Sequence, residues 1–393
     1  MPRALWLLII GMTVNVTGNS FLWPLNTIYI HNSLGKSLSV AGIVLMLNSG
    51  ASVIGNLVGG SMFDKLGGYK SILIGIGITL LALIGLTFWH QWPEYIFFLT
   101  IVGLGTGVIF PSMYAMAGSV WEEGGRKAFN ALYVAQNLGV AVGSALGGIV
   151  ADYSFQLIFL ANTILYVLFL LIAVFGYRNI SVSNLRKSSK MKEKATTKKV
   201  PNLQALSILC VGYLLCWVAY VQWSTTVASY TQEIHISLSQ YSLLWTINGA
   251  LIVLGQPLLH GILKHFAKAL KTQMLIGIVI FIISFLVAAK ATAFSGFLAG
   301  MVILTIGEMF IWPAVPTVAF SLAPKGREGF YQGIVNSTAT GGRMIGPLLG
   351  GILVDKFGMP MLFTVLITLF VVAIFTTVFY DRSLKSKKSV QAS

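Results

Sequence analysis

Apolar runs of about twenty residues recur through this 393-residue chain, and no other feature limits its fold as strongly. Twelve are readable, near 5–30, 39–62, 71–90, 95–118, 128–151, 156–177, 204–230, 240–263, 272–289, 295–320, 329–352 and 360–380. As a helix, each can cross roughly 30 Å of hydrocarbon. No water satisfies a free peptide group there, so only helices and closed barrels span a bilayer. The alternating ten-residue segments of an outer-membrane barrel are missing. With 56% of residues hydrophobic and 9% charged, the chain is too apolar for a soluble globular protein. The expected fold class is an all-α membrane protein with twelve transmembrane helices. The first run is too long for a signal peptide and lacks a small-residue cleavage site, so it reads as span 1.

The net charge of +15 would suit nucleic acid, but its placement points to a bilayer. With the first residues inside, the inner segments hold 22 of the 26 Lys and Arg, eight of them in 178–199. Lys36, Lys290 and Lys356 fall outside, and Arg343 lies within a span. That asymmetry sets both termini in the cytoplasm of a cell-membrane protein, with anionic lipid headgroups as secondary partners. The partners expected are a small-molecule substrate, protons and the lipid bilayer, with no nucleic acid, and the expected unit is a monomer. Cys210 and Cys216 share one span on different faces and read as packing residues.

The two halves match at an offset near 200. Trp23 pairs with Trp223, Asn48 with Asn248, Gly55 with Gly255, Gly105 with Gly307 and Pro111 with Pro313. Domains are therefore expected at 1–177 and 204–393, each a six-helix bundle, joined by a basic, polar linker at 178–203. Homologous halves related by an axis along the membrane normal place a substrate site between them near the midplane. The repeat is clearest in two glycine ladders. Gly139, Gly143, Gly147 and Gly148 form the first; Gly342, Gly346, Gly350 and Gly351 form the second, with Pro347 inside it. Glycines at i, i+4 and i+8 share a face that lets another helix approach closely, here expected at the domain interface. Pro347 removes one intrahelical bond and is a candidate kink.

The turn after span 2 reads Gly60-Ser61-Met62-Phe63-Asp64-Lys65-Leu66-Gly67-Gly68-Tyr69-Lys70. It resembles the loop G-x-L-x-D-[R/K]-x-G-R-[R/K] of the major facilitator superfamily, with Gly68 where a basic residue is usual. The ladders resemble the G-x-x-x-G-P-x-x-G-G motif of that superfamily's drug:proton antiporters, with Ser144 replacing proline in the first. The resemblance covers essentially the whole chain and implies two pseudo-symmetric six-helix bundles, alternating access and multidrug efflux. It also implies that Gly60, Asp64, Lys65, Gly67 and Lys70 form a gate that stabilises the outward-facing state. Bottom-up, a carboxylate at a helix end can accept bonds from the exposed N–H groups of a facing helix start. Two departures weaken coupling through the first half: Leu99 and Ile101 stand where a buried arginine is common, and span 1 carries asparagines where some relatives have an acid.

Of eleven acidic residues, Glu308 alone sits deep in a span. A charge there costs roughly 2.5–3.5 kcal/mol on insertion scales, so the group needs a partner, a wet crevice or a proton. Those options suit a proton-coupling site; fixing helix packing by a hydrogen bond is the plainer role. Arg343 reaches a similar depth from the neighbouring span at about 1.5 Å per residue. It is the candidate partner, with backbone carbonyls or an anionic substrate as the other options. A substrate cavity is sketched by Asn15, Asn19, Trp23, Asn26, Asn48, Tyr133, Gln136 and Asn137 in the first half. Trp217, Tyr220, Gln222, Trp223, Trp245, Asn248, Trp312 and Asn336 continue it in the second.

Other classes fit poorly. There is no G-x-x-x-x-G-K-[ST] loop for an ATP-driven pump. The five histidines lack metal-ligand spacing, so no metal or cofactor is expected. One buried acid provides no acid–base pair for an enzyme. The expected function is proton-coupled efflux of drugs or other amphipathic small molecules, with a sugar or metabolite carrier without proton antiport as the alternative.

Overall fold

The computed structural model describes residues 1–22, 26, 29–36, 38–153, 155–178, 180, 199–266, 269–382 and 384. Trp23 and most of the expected linker at 178–203 lie outside the described residues. Among the described residues there is no strand. Helices run in the order α1 (Arg3–Leu22), α2 (Leu38–Leu66), α3 (Gly68–Phe88), α4 (Glu94–Val120), α5 (Arg126–Tyr153) and α6 (Phe155–Ile172). They continue with α7 (Lys199–Tyr220), α8 (Thr226–Glu233), α9 (Leu238–Phe266), α10 (Leu270–Ala289), α11 (Phe294–Ile311), α12 (Ala314–Leu322) and α13 (Glu328–Phe379).

Nine helical stretches among the described residues are long and apolar enough to cross a membrane. The longest is α13, with 52 residues, and a straight helix of that length would run roughly 78 Å, more than twice a bilayer core. It continues through Pro347 and breaks at Gly358, where φ is 77° and ψ 173°. That conformation suits glycine, and it separates the last two apolar runs. The run near 295–320 is also divided, because Pro313 has no N–H to continue α11 into α12. Large apolar side chains such as Leu81, Ile164 and Phe175 face outward at 72%, 60% and 78% exposure. Asn15, Thr79, Asn162, Gln222 and Thr305 are wholly buried. A surface this oily over a polar-flecked interior is what hydrocarbon solvent selects.

Two compact units are present: Met1–Lys192 with Ala323–Thr340, and Glu193–Leu322 with Gly341–Ser393. The same close contacts are built twice. A methyl group added at Gly105 would lie 3.0 Å from the Gly75 carbonyl oxygen, and one at Gly307 would lie 3.0 Å from that of Gly277. These pairs bring α4 against α3 and α11 against α10. The ladders behave alike within their units: Gly139 and Gly143 abut the carbonyls of Thr13 and Thr17 on α1, while Gly342 and Gly346 abut those of Leu214 and Val218 on α7.

The second unit is also tied at one end. Lys271, at the start of α10, donates to Asp381 Oδ1 and to the Val378 carbonyl, both at 2.6 Å. The pair is largely shielded, with side chains 25% and 17% exposed. Lys271→Met is expected to cost about 1.5–3 kcal/mol, the range for bonds to charged groups. Thermal unfolding in detergent checks this, and a variant melting with the parent would show that the tie carries no stability.

Candidate functional site

Glu308 stands three residues after Thr305 on α11, so the two share a helix face. Its side chain is only 2% exposed. Oε1 accepts from Asn248 Nδ2 of α9 at 2.7 Å, and that same nitrogen reaches Thr305 Oγ1 at 2.9 Å. Thr305 gives its own hydrogen to the Met301 carbonyl at 2.7 Å, which leaves its lone pairs for Asn248. The Tyr220 hydroxyl, from the last residue of α7, is also hydrogen-bonded to Glu308. An amide N–H and a phenol O–H are thus both within hydrogen-bond reach of the acid.

Around this acid lies an aromatic stack. The Arg343 guanidinium of α13 sits 4.8 Å from the centroid of Trp217. Trp217 stacks on Trp312 at 4.4 Å and 13°. Tyr220 meets Trp312 edge-on at 5.4 Å and 90°, and Trp245 at 6.4 Å and 79°. The Trp245 indole donates to the Tyr241 hydroxyl at 2.9 Å, which donates to the Trp223 carbonyl at 2.7 Å. Glu308 and Arg343 both lie within electrostatic reach of the Tyr220 hydroxyl. Helix counting places them at a common depth, and Tyr220 is the residue that feels the charge of both. Thr305 and Tyr241 were not anticipated. The three-residue spacing from Glu308 was a signal for the first, and no pattern marked the second.

The other predicted cavity residues have mixed fates. Gln222 donates to the Gly346 carbonyl at 2.7 Å and accepts from Thr226 at 2.6 Å, so it fastens α7 to the glycine ladder. Trp223 is wholly buried against Gly300, Phe285 and Phe297. Asn48 donates to the Leu99 carbonyl of α4 at 2.7 Å, joining the helix pair that Asn248 joins in the other unit. Asn26 accepts from Tyr95 at 2.8 Å, and Tyr166 bonds Asn15 and Asn19. Asn137 and Asn336 donate to carbonyls of their own helices, at Tyr133 and Gln332, and Gln136 reaches Met12 Sδ at 3.8 Å.

In the first unit the turn motif makes a defined contact. Asp64, at the end of α2, accepts from the backbone N–H groups of Gly329 at 2.7 Å and Phe330 at 2.9 Å, in the first turn of α13. Those donors have no intrahelical acceptor, so the carboxylate caps the helix from outside. Close approach depends on Gly60 and Gly329, since a methyl group on either would lie 2.2–2.3 Å from the other's carbonyl oxygen. Gly67 turns the chain with φ 86°. Gly68 is packed under Phe63 and Met116, so a longer side chain has no room there. Lys65 and Lys70 are exposed.

An all-helical bundle with an oily exterior, a buried acid wired to an aromatic stack and helices broken beside it defines a membrane carrier, not an enzyme. The chain belongs to the Major Facilitator Superfamily, whose family model matches residues 8–268 and 208–393. It is 64% identical over 388 residues to the uncharacterized MFS-type transporter YttB of Bacillus subtilis (strain 168), covering 99% of this chain and 98% of that protein. Similarity to the quinolone resistance protein NorA of Staphylococcus aureus (strain MSSA476) is 22% over 363 residues, covering 90% and 91% of the two chains. Among solved structures, the human organic anion transporter MFSD10 (TETRAN) matches with a TM-score of 0.75 at 14% identity, covering 96% of this chain and all of that one.

Proposed function

We propose that this chain is a proton-coupled exporter of amphipathic small molecules, working as a monomer by alternating access in the cell membrane with both termini cytoplasmic. The observation that carries the reading is Glu308, buried and held by Asn248 and Tyr220 with Arg343 close by. When ionised, this acid uses neutral donors to keep its charge inside the unit. When protonated it becomes a donor itself, so Tyr220 and Asn248 must re-partner. Two states of one hydrogen-bond network are what a proton needs to bias a conformational equilibrium. The stacked Trp217 and Trp312, with Tyr220 and Trp245, offer planar apolar faces to an organic substrate. Similarity to a quinolone resistance protein supports the choice of drug-like cargo.

In this reading the Asp64 cap on α13 belongs to the gate of the outward-facing state. Asp64→Ala removes two charge-assisted bonds, each worth about 1.5–3 kcal/mol, so that state should lose at least about tenfold in population. Labelling rates of a cysteine placed beside Gly329 measure the change, and equal rates in parent and variant would remove Asp64 from the gate.

The function is tested in proteoliposomes carrying an imposed pH gradient. Dye or drug accumulation that follows the gradient and collapses with a protonophore is expected. Gradient-independent exchange of sugars would favour a facilitator, and no flux of any compound would remove both.

A further inference from the structure

Away from the Glu308 network, the α1–α6 seam of the first unit holds polar atoms that the protein leaves bare. Asn162 of α6 is wholly buried, and neither its Oδ1 nor its Nδ2 has a hydrogen-bond partner. Asn15 of α1 is equally buried. Its Oδ1 lies 2.8 Å from the Tyr166 hydroxyl and 3.5 Å from Asn19 Nδ2, while its own Nδ2 has no partner. Gly18, three residues after Asn15 on α1, packs against both Asn162 and Tyr166. A methyl group at Gly18 would lie 2.6 Å from Asn162 Oδ1 and 3.2 Å from the Tyr166 ring. Asn15, Gly18 and Asn19 fall on one face of α1, and Asn162 and Tyr166 on one face of α6. Tyr166 does not supply the missing bonds, since none of the three bare atoms has a partner within hydrogen-bond distance.

The open positions are two amide donors and one carbonyl acceptor, so an occupant must both accept and donate. A metal cation accepts no N–H bond, and a halide donates none. An empty pocket leaves all three atoms bare in a unit surrounded by hydrocarbon, where bare polar groups are most costly. Water fulfils both requirements, and buried waters typically make about three such bonds. We propose that α1 and α6 enclose a resident water site between Asn15 and Asn162, which fastens the two helices through hydrogen bonds that neither makes directly. Among the described residues, nothing equivalent is built in the second unit. Gly11 and Gly212 hold matching positions, against Tyr177 and Thr376, and this register sets Cys216 in place of Asn15.

X-ray radiolytic footprinting of the detergent-purified chain tests the site, because bound water yields hydroxyl radicals where bulk water has no access. Tyr166, although wholly buried, should be oxidised in the parent, and Asn162→Leu should lower that yield several-fold. An unlabelled Tyr166 in the parent, or undiminished labelling in the variant, overturns the proposal. Thermal unfolding gives an independent reading. Loss of a bridging water lowers the melting temperature of Asn162→Leu, whereas a variant melting above the parent means that the amide faced an empty pocket. If the variant does not fold, the parent's footprint alone decides.

Discussion

Glu308→Gln should abolish uphill transport while leaving the protein folded. Glutamine keeps the length of the side chain, and its carbonyl can still accept from Asn248 and Tyr220. What disappears is the choice between an ionised and a protonated group, and with it any way for a pH gradient to bias the network. In proteoliposomes the parent should accumulate substrate against its gradient. The variant should reach only equal concentrations on both sides, while downhill exchange continues. A tenfold concentration ratio held by the parent and lost by the variant corresponds to about 1.4 kcal/mol of lost driving energy. Undiminished uphill movement by Glu308→Gln would remove this residue from the coupling site. A variant that neither accumulates nor exchanges, yet elutes as the parent does, would make Glu308 a substrate contact instead.

The largest expected effect on folding comes from Gly59→Leu. A side chain at that position would start with Cβ 2.5 Å from both the Cα and the carbonyl oxygen of Val108. Backbone meets backbone there, and no flexible group can move aside. Neighbouring contacts are as tight: a Cβ at Gly55 would lie 2.2 Å from the Leu104 carbonyl, and one at Gly107 would lie 2.4 Å from that of Ser52. Overpacking costs about 1–3 kcal/mol where side chains can yield, and more where they cannot. Gly59→Leu should therefore give no monodisperse peak in size-exclusion chromatography. Gly77→Ala is the control, since nothing lies within 4 Å of an added Cβ; it should fold, with a gain of about 1 kcal/mol from helix propensity. A well-folded Gly59→Leu would mean that α2 and α4 are not packed on their glycines.

Much of this fold was readable because its solvent reduces the problem to one dimension. Apolar length marks a span, and a glycine repeat marks a face that another helix can approach closely. Gly105 and Gly307 were matched by offset alone, and each closes the same kind of helix pair in its own unit. Glu308 was conspicuous because a lone acid in oil needs a reason. Trp223 and Gln222 were equally conspicuous and sit in packing roles, since an aromatic ring or an amide at mid-span depth suits a core as well as a cavity.

Sequence by itself determined the helical class and the superfamily, because hydropathy and motif spacing report position along a helix axis. Only tertiary structure decided what each group touches: Asn248 and Tyr220 on Glu308, Trp217 beneath Arg343, Asp64 on the first turn of α13. Those contacts depend on how far each helix is turned about its axis. A residue advances by about 1.5 Å but also swings by roughly 100°, and close packing of the neighbouring helices is what fixes that angle.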